Sequence, residues 1–252
     1  MNKYFSGLTL AFGAVAALFS TQGYAGIVVN GTRFVVSASE HSKSITVRNT
    51  GNEGFLVKSE VIPDKGEELE GTDNLNNHSS RENPFIITPP LYLLSAGKDS
   101  KLRLECVSCQ DLPKDRETFY RLGISAIPGG KPGPNTVQLA IRSTFKLFYR
   151  PDGLPGKAND AYKLLKWRRE GKSVIVNNPT PYYVTLFDLS VNNKKVRNPG
   201  MVAPFSSRIQ PWCPDTGSCQ LKWTSLNDFG GITPEWSVTP EARTKVGHSV
   251  DK

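Results

Sequence analysis

Few residues in this 252-residue chain have the type and spacing to do chemistry. The four cysteines form two local pairs, Cys106/Cys109 and Cys213/Cys219. A Cys-Val-Ser-Cys run exchanges disulfides when a helix N-terminus acidifies one thiol, and the sequence around Cys106 lacks the strand–helix setting that does so. In an exported chain an even count points instead to structural disulfides. Four cysteines allow three connectivities, and local pairing is the expected one because short separations make it easy. The three histidines, His41, His78 and His248, lie in a turn, a loop and the tail, where each reads as a solvated surface residue. Glu67 and Glu68 are adjacent in a polar loop, and nothing there would shift a pKa usefully. A strand–helix glycine loop for phosphates, His-Glu-x-x-His and Gly-x-Ser-x-Gly are absent from the sequence. No catalytic residue, cofactor or metal site is expected, and the chain reads as a binding protein rather than an enzyme.

Binding needs an element that presents side chains, and Val137-Gln-Leu-Ala-Ile-Arg-Ser-Thr-Phe-Lys-Leu-Phe-Tyr-Arg-Pro151 offers one. Val137, Leu139, Ile141, Phe145, Leu147 and Tyr149 fill the odd positions, broken only by Ser143. Gln138, Arg142, Thr144, Lys146 and Arg150 fill even positions, with Ala140 and Phe148 as exceptions. Period two is the signature of a strand, because successive side chains leave opposite faces. At about 3.3 Å per residue the run would span roughly 45 Å, whereas ordinary strands have about 5–6 residues. Such a strand crosses a large sheet or runs past one domain toward another, and Pro151 stops it by lacking an N–H.

The rest of the chain supplies the frame. Met1-Asn-Lys3, the apolar run Leu8–Phe19 and Gly23-Tyr-Ala25 read as a secretory signal peptide cleaved before Gly26. The apolar core is short of the ~20 residues that a membrane span needs. Removing 25 of the 252 residues leaves 227, enough for two domains, and takes the net charge from +8 to +7. The lysines and arginines are scattered, so the excess charge reads as a soluble basic surface, without nucleic acid or membrane insertion. Strands are expected at Ile27–Val29, Phe34–Val36, Ser44–Arg48, Phe55–Ile62, Phe85–Ile87, Leu91–Leu94, Lys101–Leu104 and Phe119–Ile127. Residues 64–84 form a polar loop, and Thr88-Pro-Pro90 marks an edge or a switch in direction. About seven strands with turn signals every 8–12 residues match an immunoglobulin-like sandwich. After Pro151 come a helical turn around Ala158–Leu165 and strands at Leu165–Arg168, Ser173–Asn177, Tyr182–Leu189, Ser207–Gln210, Cys219–Ser225 and Thr233–Val238. They predict a second, smaller all-β sandwich. The expected division is leader 1–25, first domain 26–150, second domain 151–240 and a disordered tail 241–252.

Several stretches resemble the periplasmic chaperones of chaperone–usher pilus assembly. Gly31-Thr-Arg33-Phe-Val-Val36 and Val47-Arg-Asn49-Thr lie near the mature start, and Pro84-Phe-Ile-Ile-Thr-Pro-Pro-Leu91 and Leu112-Pro-Lys-Asp-Arg-Glu117-Thr-Phe follow. Lys146-Leu-Phe-Tyr-Arg150-Pro151 ends the long stretch. Asn178-Pro-Thr-Pro-Tyr-Tyr-Val184 and Asn227-Asp228-Phe-Gly-Gly231 match in the second unit. The motifs keep the family's order and cover nearly the whole mature chain. The resemblance implies an all-β chain of two immunoglobulin-like domains set as an L around a cleft, an architecture already known for this family.

It further implies a periplasmic protein that binds, stabilises and caps pilus or fimbrial subunits and delivers them to an outer-membrane usher. Strand donation by such proteins is a recognised case of β-augmentation. By resemblance, Val137, Leu139 and Ile141 fill the open groove of a subunit, and Arg33 with Lys146 binds its C-terminal carboxylate. Glu117, Arg150 and Asp228 match the family's interdomain charge network. The short link Pro128–Asn135 and the absence of an extended arm near Gly26 resemble the short-loop subclass. Cys106/Cys109 departs from the commonest pattern and reads as a clip near a strand end.

Alternation alone leaves other readings open. Val137, Leu139 and Ile141 could face their own core, Lys146 could snorkel, and Arg33 could be a surface residue. Ser143 and Thr144 would add only local polar contacts. An exposed edge strand also favours self-association of the free protein. Two other classes are a fimbrial subunit or adhesin, which would be one incomplete sandwich with its own donor arm, and a periplasmic thiol oxidoreductase using Cys106/Cys109. No ATP site is visible in the sequence, so release of a bound subunit must come from exchange with another subunit's strand.

Overall fold

The computed structural model describes residues 26–40, 42–64, 83–130 and 137–240. The leader, His41, His78, His248, Glu67, Glu68, the tail, and most of the 64–84 loop and the 128–135 link lie outside the described residues. In the first half the strands are β1 (Ile27–Val29), β2 (Arg33–Ser37), β3 (Ser42–Asn49), β4 (Phe55–Pro63), β5 (Phe85–Thr88), β6 (Leu91–Leu94), β7 (Asp99–Cys106), β8 (Thr118–Pro128) and β9 (Ile141–Arg150). One sheet has the order β1-β3-β7-β5 and the other β2-β9-β8-β4-β6. Alternation sets the layers: Ile45 and Val47, Leu102 and Leu104, Leu122 and Ile124, and Leu147 and Tyr149 all enter one core between the sheets. The chain changes sheet at every connection from β1 to β8, and only β8 and β9 follow each other within one sheet. The change from β5 to β6 falls at Thr88-Pro-Pro90, where two prolines lack the donors that a continuing ladder needs.

The second half contains β10 (Lys166–Glu170), β11 (Ser173–Asn178), β12 (Val184–Val191), β13 (Lys194–Lys195), β14 (Met201–Val202), β15 (Ser206–Gln210), β16 (Leu221–Ser225) and β17 (Trp236–Val238). Its sheets are ordered β10-β11-β15 and β13-β12-β16-β17, with β14 on β12. Val174 and Val176 of the first meet Leu186, Leu189, Leu221 and Trp223 of the second in a separate core. The helical turn is a 3-10 helix, Ala158–Leu164, that buries Ala161 and Tyr162, and Trp223 Nε1 donates to the Tyr162 carbonyl at 3.1 Å. Cys106 pairs with Cys109 and Cys213 with Cys219, the local connectivity. Cys106 ends β7 and only a 3-10 turn, Cys109–Asp111, follows it.

Two expectations about the long stretch are corrected. Its strand begins at Ile141, opposite Ala126, and residues 137–140 lie outside any strand. Extending the pairing would place Leu139 opposite Pro128, which has no N–H to donate, and β8 ends there. Nor is β9 an edge along its length. β2 pairs with it in parallel from Arg33↔Lys146 to Ser37↔Arg150, so only the part before Lys146 is left without a neighbour on that side.

Candidate functional site

The two faces of β9 do different work. Phe145, Leu147 and Tyr149 pack on the core of the first domain, while Phe148 leaves on the other face and joins Phe119 and Met201 in a cluster between the domains. The Phe119, Phe148 and Tyr183 rings stand 5.3–5.7 Å apart. Phe148, an exception to the alternation, is apolar because a second domain covers it.

Arg33 and Lys146 are register partners and so leave the sheet on that same face. The Arg33 guanidinium lies 4.5 Å from the Phe148 ring centre, and Lys146 Nζ lies 5.9 Å from that of Phe119. Both distances allow a cation to use the ring face. Arg33 is only 7% exposed, and its Nη1 donates to the Leu226 carbonyl of the second domain at 2.8 Å. Burial holds the Arg33 pKa below its ordinary value, against the fields of Asp228 and Glu117. Among the described residues no carboxylate forms an ion pair with Arg33, and its Nε is buried without a partner. Arg33 and Lys146 thus stand side by side on an aromatic floor, with one donor of Arg33 unpartnered.

Beyond Lys146 the strand is open. Val137 is 84% exposed, Leu139 71% and Ile141 66%, so none of the three lies in its own core. Leu139, Ile141 and Ser143 line one wall of an apolar cleft of about 540 Å³, with Ile27 and Val29 of β1 opposite and Phe55 below. The cleft exists because β1 and β9 belong to different sheets and no strand bridges them there. On the outer face, Arg142 lies across Gly123 to reach Glu60 at 2.6 Å; a Cβ on Gly123 would fall 2.8 Å from the guanidinium.

The domains are joined by Arg150. Its Nε donates to Glu117 Oε1 at 2.7 Å, while Nη1 and Nη2 donate to the Asp228 carboxylate at 2.7 and 2.8 Å. Glu117 Oε2 accepts from Tyr183 N at 2.7 Å, and Glu117 N donates to the Pro181 carbonyl at 2.9 Å. Burial pushes the Glu117 carboxyl above its ordinary pKa, since it is 3% exposed and shares its guanidinium with a second acid. For Asp228 burial acts in the same direction, but the hydrogen bonds and field of Arg150 win and hold its pKa low. For Arg150 the cost of burial is outweighed by Asp228 and Glu117, which raise its pKa.

The sequence of each domain matches a described family. Residues 26–155 match the pili and flagellar-assembly chaperone PapD N-terminal domain, and residues 160–237 match the pili assembly chaperone PapD C-terminal domain. The chain belongs to this family of fimbrial chaperones. It is 39% identical over 224 residues to the uncharacterized fimbrial chaperone YcbF of Escherichia coli K12, covering 89% of this chain and 92% of that one. It is 31% identical over 231 residues to the chaperone protein FimC of the same strain, covering 90% of each. Among solved structures, the Salmonella enterica SafB chaperone in complex with SafA pilin matches with a TM-score of 0.73 at 28% identity, over 87% of this chain and 98% of that one. The E. coli chaperone DraB matches with a TM-score of 0.71 at 30% identity, over 86% and 97%. The subunit, adhesin and thiol-oxidoreductase alternatives receive no support from these matches.

In this fimbrial chaperone the structure brings Arg33 to Lys146, Glu117 to Arg150, and Arg150 to Asp228 across 78 residues of sequence. Ser143 only lines the cleft, and the Thr144 side chain makes no hydrogen bond among the described residues. Several participants escaped sequence reasoning. Leu226 and Tyr183 hold Arg33 and Glu117 through main-chain groups, which leave no mark on residue type, while the Tyr183 ring joins Phe119 and Phe148. Phe148 and Val35 could have been found as apolar residues on the polar side of their strands.

Proposed function

We propose that this chaperone binds a pilus or fimbrial subunit along the free part of β9 and anchors the subunit's C-terminal carboxylate between Arg33 and Lys146. The observation that carries it is the placement of those two cations at the point where β2 begins. Before that point the strand position beside β9 is vacant, and from Arg33 onward β2 fills it. A subunit strand in the vacant position would pair with main-chain groups of residues 141–145 and stop where β2 starts. A terminal carboxylate there would meet two charged donors, each hydrogen bond contributing about 1.5–3 kcal/mol. Leu139 and Ile141, already in water, would enter the subunit's groove at roughly 1.5–3 kcal/mol for each fully buried side chain, with Val137 beyond them.

Glu117, Arg150 and Asp228 hold the angle between the domains and therefore the width of the cleft. A satisfied buried network favours one geometry more than it adds stability. No covalent step is involved: binding supplies the stabilisation, exchange for another subunit's strand supplies release, and an outer-membrane usher receives the complex. Cleavage of the leader before Gly26 would deliver the chain to the periplasm, as domains 26–150 and 151–240. In the free state the same open edge favours self-association.

The test is co-purification from periplasm. Lys146→Ala is expected to abolish capture of the subunit with the circular dichroism spectrum and melting unchanged. Capture at the parent yield would remove the carboxylate anchor. Arg33→Ala is the less clean variant, because Arg33 also ties the first domain to Leu226.

A further inference from the structure

Phe229 is 90% exposed, more than any other large apolar side chain among the described residues. Its backbone is nevertheless tightly held. Asn227 Oδ1 accepts from Phe229 N at 3.0 Å and from Gly231 N at 2.8 Å, and Asn227 N donates to the Gly231 carbonyl at 2.9 Å. On one side of the ring Asp228 is fixed by two bonds from Arg150. On the other, Gly230 has φ 81° and lies so close to Thr32 that a Cβ would fall 2.2 Å from Thr32 Oγ1. Just upstream, the Leu226 carbonyl holds Arg33. A rigid loop therefore carries an aromatic ring into water. Pre-ordered aromatics lose little freedom on contact, and they dominate interface hot spots.

The position of the loop indicates what would cover the ring. Residues 226–231 cross the first domain at Thr32 and Arg33, where β2 begins and the vacant strand position beside β9 ends. A chain filling that position would bring its last residue to this spot, with its carboxylate on Arg33 and Lys146. We propose that Phe229 is a specificity-determining contact for the side chain of the client's terminal residue, selecting a large apolar side chain over a small polar one. Cationic termini are disfavoured by Arg33 and Arg150, and the acids of the same cluster, Asp228 and Glu117, are already bound to Arg150. The inference rests on the carboxylate anchor described above.

The test uses the full chain and synthetic peptides of alternating apolar residues that end in phenylalanine, in serine, or in phenylalanine amide. Binding is followed by fluorescence anisotropy. Phe229→Ala should weaken the phenylalanine peptide about tenfold, the scale of a buried aromatic pair, and leave the serine peptide unchanged. Phe229→Tyr should restore the preference. Equal losses for both peptides, or no loss for either, would overturn the role of Phe229 while leaving the anchor intact. If amidation and Lys146→Ala have no effect on the parent chain, the anchor itself fails and this inference falls with it.

Discussion

The two ends of β9 have similar alternation and opposite fates. From Lys146 to Arg150 the strand lies between β2 and β8, with the first core under one face and the second domain on the other. Before Lys146 it has no strand on one side, and Ile141, with Val137 and Leu139 of the segment leading into it, stands in water. The difference comes from β2, which is five residues long and reaches only to Lys146. Whether an apolar residue in an alternating strand is core or interface is therefore decided by the length of its neighbour. A free apolar edge is normally an aggregation hazard. Here its vacant side ends at two cations, Arg33 and Lys146, where β2 begins.

The largest effect expected from breaking this contrast is at the buried end. Phe148→Ala should cost about 3–5 kcal/mol, the range for emptying an aromatic core position, and should loosen the domain seam. Urea unfolding gives the first and residual dipolar couplings of the two domains the second. At the free end, Leu139→Glu should change folding stability by less than about 0.5 kcal/mol and yet weaken subunit capture by roughly 1.5–3 kcal/mol. Equal stability losses at the two ends would erase the distinction.

A smaller effect is expected from acid. In Asp228 the bonds from Arg150 overcome burial, so its folded pKa lies below the unfolded value and the native state binds fewer protons. That stability is present above the ordinary carboxylate value of 3.8 and drains as pH falls through the folded pKa. Glu117 has the opposite sign: burial raises its folded pKa above 4.5, so its contribution declines as pH rises from there through the folded value. Asp228→Asn should remove the acid-side loss seen in a pH series of thermal melts, and Glu117→Gln should remove the decline that follows as pH rises above 4.5. The smallest effect belongs to Gly123→Val, which displaces Arg142 and breaks its half-exposed pair with Glu60. Exposed pairs contribute about 0.2–1 kcal/mol, so a loss much above that would mean the strand itself had moved.

Much of this was legible before any fold was known. Alternation over Ile45–Val47, Leu102–Leu104 and Leu122–Ile124 identified inward faces, and Thr88-Pro-Pro90 marked the change of sheet. The motif around Asn227-Asp228 supplied a charge partner that spacing alone could not give. The length of β9 was misjudged because side-chain alternation continues through residues 137–140, where Pro128 on the opposing strand cannot donate. Periodicity reports which way side chains point, and it is silent on whether a partner exists.

Residue order by itself determined the all-β class, the two cores and the directions of the side chains on β9, and it favoured the local cysteine pairs among three connectivities. These depend on neighbours in sequence: a strand's two faces are set by its pleat, and a short loop closes easily. Only the tertiary structure decided that Arg33 sits beside Lys146, that Phe148 meets a second domain, and that Leu139 and Ile141 remain in water. Those outcomes depend on where β2 starts and where Arg150 finds Asp228, contacts between residues far apart in the chain. Their energies come from burial and charge in three dimensions, for which sequence spacing carries no signal.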